Sequence, residues 1–141
     1  MAKLEMSSLN KALDSLGRSL AITNNSEKMA AMDDDLAETV RAGVIQNFEV
    51  CYELCWKFMK RWLEANVGKS HVEGVPCHEL FRLGAENKLI DDVEEWMSFH
   101  KLRNETSHTY DVATAENVFN IANSFYKASM VFYKNIEAKN D

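Results

Sequence analysis

Arg103, His108 and Tyr110 stand within eight positions of one another, in the run Leu102-Arg103-Asn104-Glu105-Thr106-Ser107-His108-Thr109-Tyr110-Asp111. Arginine supplies a permanent cation with a bidentate fork, histidine exchanges protons near neutral pH, and tyrosine offers a phenol open to modification. Together these types suit phosphate chemistry. If they converge on an RNA phosphodiester, the 2′-hydroxyl is the nucleophile, His108 exchanges the protons, and Arg103 holds the phosphate and stabilises the transition-state charge. That chemistry needs no metal and no cofactor. Asn104, four residues before His108, is placed to donate to a phosphate oxygen or to orient the imidazole. His100, on the same ridge as Arg103, is a candidate second proton donor.

The same residue types also permit a purely structural role. Arg103 would then pair with a carboxylate such as Glu105 or Asp111, His108 would cap the C-terminal end of a helix, and Tyr110 would pack at a turn. Geometry constrains the catalytic alternative as well. A five-residue step on an ideal helix turns a side chain by about 140°, so Arg103 and His108 share a ligand only if the helix ends between them or a second copy of the chain supplies one of them. His71 and His78 read as surface or core-edge residues.

The elements that would position this run are helical. Leu9, Leu13, Leu16 and Leu20 recur at steps of four, three and four, which places one apolar face on a first helix from Leu4 to about Ile22. Thr23 to Ser26 reads as a break, and Asp33-Asp34-Asp35 suits a helix N-terminus better than a metal site. A second helix, roughly Leu36 to Ala65, carries two seams: Val40, Val44, Cys51, Leu54 and Phe58, and Ile45, Phe48, Tyr52, Cys55, Met59 and Trp62. Two seams put it at the centre of a bundle or against a second copy. Its remaining stripe, Glu49, Glu53, Lys57, Lys60 and Glu64, is expected to face solvent, with Glu53 and Lys57 as an i,i+4 pair.

Asn66-Val67-Gly68 ends that helix, and Pro76 suits the first turn of a short third helix through about Glu86. Asp91 and Asp92 start a fourth, whose ridge Val93, Trp96, His100, Arg103 and Ser107 changes from apolar to polar along its length. Thr114 is expected to cap a last helix with Val118, Ile121, Ala122, Phe125, Ala128, Phe132 and Ile136 on one face. The prediction is a single all-α domain over 1–141, an up-and-down four-helix bundle with one extra short helix.

Composition narrows the function. The formal net charge of −6, from 16 Lys and Arg against 22 Asp and Glu, excludes a broad electrostatic surface for nucleic acid, so any RNA contact must be local. No apolar run reaches the roughly 18 residues of a membrane span, and the first residues lack the apolar core of a signal peptide, so the cytoplasm is the expected location. Cys51, Cys55 and Cys77 are an odd set without two-residue spacing; the first two read as buried small hydrophobes, and Cys77 with His78 lacks further zinc ligands.

Four segments carry a wider resemblance: Gly43-Val44-Ile45-Gln46-Asn47-Phe48-Glu49, Tyr52-Glu53-Leu54-Cys55-Trp56-Lys57, Leu89-Ile90-Asp91-Asp92, and Arg103 through Tyr110. In this order, across nearly the whole chain, they resemble the nucleotidyltransferase substrate-binding proteins of the HEPN superfamily. The resemblance implies a HEPN four-helix bundle that forms a homodimer and is encoded beside a minimal nucleotidyltransferase, often as a toxin and antitoxin pair. It further implies an RNA-cleaving site shared across the dimer, with Arg103 and His108 in the cleavage role, and Tyr110 as the phenol to which the partner transfers AMP to silence the nuclease. A non-catalytic subunit that presents a nucleotide or other substrate to the nucleotidyltransferase is the alternative.

Overall fold

Apolar periodicity and capping account for most of the helix boundaries. The computed structural model describes residues 4–106 and 112–140. Among them are seven helices and no strand: α1 (Ser7–Thr23), α2 (Ser26–Ala30), α3 (Asp34–Asn66), α4 (Lys69–Val72), α5 (Cys77–Glu86), α6 (Val93–Thr106) and α7 (Val112–Ala138). The four leucines of α1 are all buried. Asp33 caps α3 by accepting from the Leu36 amide at 2.8 Å, while Asp34 and Asp35 lie in the first turn, where the helix dipole favours them.

Three boundaries differ from expectation. The short helices α2 and α4 interrupt stretches read as loops: Asn25 caps α2 by accepting from the Lys28 amide, and α4 follows Gly68, whose φ of 126° favours glycine. Pro76 is the N-cap of α5 and lies just outside it. Helix α7 already includes Val112, so Thr114 falls inside its first turn and does not precede it.

Cross-chain contacts fix the helix directions. Asn47 of α3 donates to the Ser15 carbonyl and to the Ser19 hydroxyl of α1. The Asn140 side chain, just past α7, accepts from the Leu4 amide and donates to the Leu4 carbonyl, at 2.8 and 2.9 Å. At the opposite end, the amide groups of Asn24 and Asn123 bond to each other. Helices α1 and α7 are therefore antiparallel, and α1, α3, α6 and α7 alternate up and down. Helix α3 packs against α1, α4, α5, α6 and α7, which explains its two apolar seams. No helix among the described residues is long and apolar enough to cross a membrane.

An aromatic cluster joins α3, α6 and α7. Phe125 meets Phe48 and Phe99 edge to face, each at 5.1 Å between centroids, and Trp96 meets Phe99 in the same manner at 5.3 Å. Such edge-to-face pairs add to the hydrophobic gain of burying these large rings. Tyr52 sits at the margin of the cluster, 6.4 Å from Phe125, with only 4% of its surface exposed. Helix α5 lies close on α3 because position 84 is glycine: a Cβ there would come within 2.8 Å of the Met59 sulfur.

Candidate functional site

Helix α6 is held at both ends of its apolar stretch. Asp92 caps it by accepting from the amides of Glu94 and Glu95. Trp96, Phe99 and Leu102 are each about 1% exposed, so their burial fixes the rotation of the helix and thereby the direction of the residues between and after them. His100 and Arg103 are turned toward α3 by that rotation. Facing them on α3 are Glu49, Tyr52 and Glu53, at i, i+3 and i+4, which share one helical face.

Arg103 reaches two of these three. One terminal nitrogen is 3.2 Å from Glu49 Oε2, and the other is 2.7 Å from Glu53 Oε1. The side chains of Arg103 and Glu49 are 25% and 28% exposed, whereas that of Glu53 is 50% exposed. This corrects two expectations. The Glu49 and Glu53 stretch of α3 faces a neighbouring helix rather than solvent, and Glu53 is engaged by Arg103 rather than serving only as a partner for Lys57. Periodicity within α3 shows which residues share a stripe, but the groove occupied by α6 is a tertiary fact. The partners of Arg103 also include these α3 carboxylates, where local spacing points only to Glu105 and Asp111.

His100 is bound to the third. The Tyr52 hydroxyl lies 2.8 Å from Nδ1 of His100 and 3.8 Å from the Cys77 sulfur. Burial, more than the neighbouring Cys77, pushes the Tyr52 phenol well above its ordinary pKa, so it keeps its proton at any physiological pH. Burial likewise raises the Cys77 thiol. On the other side of the imidazole, Nε2 of His100 stands 3.5 Å from the Asn104 side-chain amide nitrogen, one turn further along α6.

The structure thus brings together Arg103, His100 and Asn104, three of the five candidates. His108 and Tyr110 lie outside the described residues. His78 is engaged elsewhere, 3.1 Å from the exposed Glu94. Glu49, Tyr52 and Glu53 are parts of the site that sequence reasoning did not single out. Their spacing was a usable signal, because a phenol and two carboxylates at i, i+3 and i+4 form one polar edge on an otherwise apolar helix.

The chain's similarities to known proteins extend over almost its full length. The family model described as nucleotidyltransferase substrate binding protein like matches residues 4–138. A Haemophilus influenzae protein named "Probable ribonuclease HepT" is 28% identical over 139 residues, covering 98% of this chain and 95% of that protein. A solved Haemophilus influenzae structure, described as revealing the fold of a substrate binding domain of a nucleotidyltransferase, superposes with a TM-score of 0.91. Its identity is 27%, and the match covers 94% of this chain and 99% of that one.

Proposed function

Because the chain belongs to the nucleotidyltransferase substrate-binding protein family of HEPN type, we propose that it is a metal-independent endoribonuclease and the toxin partner of a minimal nucleotidyltransferase. It acts in the cytoplasm as a homodimer, with the nucleotidyltransferase encoded nearby. Transfer of AMP to Tyr110 silences it.

The observation that best supports this reading is the anchoring of Arg103. A guanidinium at the end of a buried apolar ridge, braced by Glu49 and Glu53, is preorganised to receive a phosphate, and preorganised charge costs little reorganisation during reaction. The name of the Haemophilus influenzae relative agrees with it. In the proposed reaction the 2′-oxygen attacks the adjacent phosphorus as His108 takes the hydroxyl proton. The bond from phosphorus to the 5′-oxygen breaks, a proton is returned to that oxygen, and a 2′,3′-cyclic phosphate remains. His100 is positioned to supply the returning proton, and Asn104 to donate to a non-bridging oxygen. Since Arg103 and His108 are separated by about 140° of helical turn, a composite site across two protomers accommodates both.

Two outcomes test this. His108→Ala is expected to lower cleavage by about 10²- to 10⁴-fold with the fold intact; full cleavage by that variant would remove His108 from the mechanism. Incubation with the nucleotidyltransferase, ATP and magnesium is expected to place AMP on Tyr110; an adduct on any other residue overturns that assignment.

A second reading, a non-catalytic subunit that presents a nucleotide or other substrate to the nucleotidyltransferase, is favoured by the description of the superposable structure. It predicts nucleotide binding weakened by Arg103→Ala, and no RNA cleavage at any protein concentration.

A further inference from the structure

Tyr52 has one proton to give and two neighbours to receive it. Its hydroxyl is buried, and burial keeps the phenol protonated. The His100 Nδ1 contact at 2.8 Å is a strong hydrogen bond, while the Cys77 sulfur at 3.8 Å is a weak acceptor at long range. The proton therefore goes to Nδ1. An Nδ1 that accepts cannot carry a hydrogen in the neutral imidazole, so the hydrogen of His100 is on Nε2.

This assignment alters the meaning of the Asn104 contact. Nε2–H and the Asn104 amide N–H₂, 3.5 Å apart, are then both donors and cannot satisfy each other. Two donors at that separation can share a single anionic oxygen placed between them, as charge-assisted bonds favour. Both belong to the last two turns of α6, and Asn104 directly follows Arg103.

We propose that Tyr52 is a positioning residue that fixes the Nε2–H tautomer of His100, and that His100 and Asn104 thereby form a two-donor subsite for a phosphate oxygen beside Arg103. The tautomer stands on the geometry alone; the identity of the phosphate as one in RNA rests on the proposed nuclease function. No local pattern points to this role, since Tyr52 reads as one more residue of an apolar seam.

The test is long-range ¹H–¹⁵N NMR of the full-length protein with the imidazole neutral, followed by titration with inorganic phosphate. Wild type is expected to show the Nε2–H tautomer of His100, with phosphate shifting both His100 and the Asn104 side-chain amide. Tyr52→Phe keeps the buried ring and is expected to yield a mixture of tautomers and a roughly two- to tenfold weaker phosphate affinity, the worth of one hydrogen bond. Cys77→Ala removes the competing sulfur and is expected to leave the tautomer unchanged. An Nδ1–H tautomer in wild type overturns the proposal, as does a change of tautomer in Cys77→Ala. If Tyr52→Phe fails to fold, the wild-type and Cys77→Ala spectra still decide. None of these readouts uses RNA, so a correct tautomer and phosphate response without RNA cleavage would refute the nuclease reading and leave this one standing.

Discussion

Arg103 and Glu53, 50 positions apart in sequence, meet at 2.7 Å across the groove between α6 and α3. The contact places a carboxylate where an incoming phosphate would have to bind. Glu49 is the less exposed of the two acids that hold the guanidinium and acts as its brace. Glu53, half in solvent, is the one a phosphate would displace.

Glu53→Gln is therefore expected to tighten binding of single-stranded RNA, measured in a His108→Ala background so that the RNA survives. One unit charge removed at about 4 Å is worth about 1 kcal/mol in high dielectric, or about fivefold in affinity at low salt, fading as salt is added. Stability should change by less than about 1 kcal/mol, because the pair is solvent-screened. Weaker RNA binding would show that Glu53 positions Arg103 rather than competing for it.

The same substitution should have opposite signs at two helical glycines. A methyl group at Gly43 would meet nothing within 4 Å, so Gly43→Ala should stabilise by about 0.5–1 kcal/mol through helix propensity alone. Gly84→Ala would press on the buried Met59 sulfur at 2.8 Å and should cost about 1–3 kcal/mol. Denaturant midpoints of the two variants check the close approach of α5 to α3; a stabilising Gly84→Ala would contradict it.

Alkaline pH should unfold the protein through its buried acids. Burial pushes the Cys51 thiol up to about 12, from an ordinary value of 9.0, and raises Tyr52 as well. Between about pH 9 and 12 the unfolded chain gives up the Cys51 proton while the folded chain keeps it. The folded state then binds more protons, so stability falls as pH rises, by up to about 1.4 kcal/mol per pH unit for each such group. Cys51→Ala should flatten that fall in thermal melts across this range. Thiol titration of the native protein should find Cys77 reacting ahead of the buried Cys51 and Cys55.

Phe125 is the hub of the ring cluster, in contact with Phe48, Tyr52, Trp96 and Phe99. Phe125→Ala should cost about 3–5 kcal/mol, read from chemical denaturation. A loss below about 1 kcal/mol would mean that the rings do not pack as described.

The helices were largely legible in the sequence because their signals are local. The leucine spacing of α1 and the acidic start of α3 both matched, and Cys51 and Cys55 are buried as their places in the seams require. The last helix kept its ridge, with Ser129 filling a buried position between Phe125 and Phe132 by donating to the Tyr126 carbonyl. The two shortest helices were not legible, since four or five residues carry no periodicity. In the site, Arg103, His100 and Asn104 could be named from type and spacing. Their partners could not: Glu49, Tyr52 and Glu53 become site residues only once α6 docks on α3, and no pattern within either helix states that pairing.

The most direct test is single-turnover cleavage of RNA by the full-length protein in EDTA, comparing wild type with Arg103→Ala of unchanged helical content. Wild type should leave 2′,3′-cyclic phosphate ends, and Arg103→Ala should be slower by about 10²- to 10³-fold, the usual effect of deleting a transition-state charge partner. Cleavage by Arg103→Ala at the wild-type rate, or none by wild type itself, would contradict the assignment of Arg103 to the reacting phosphate.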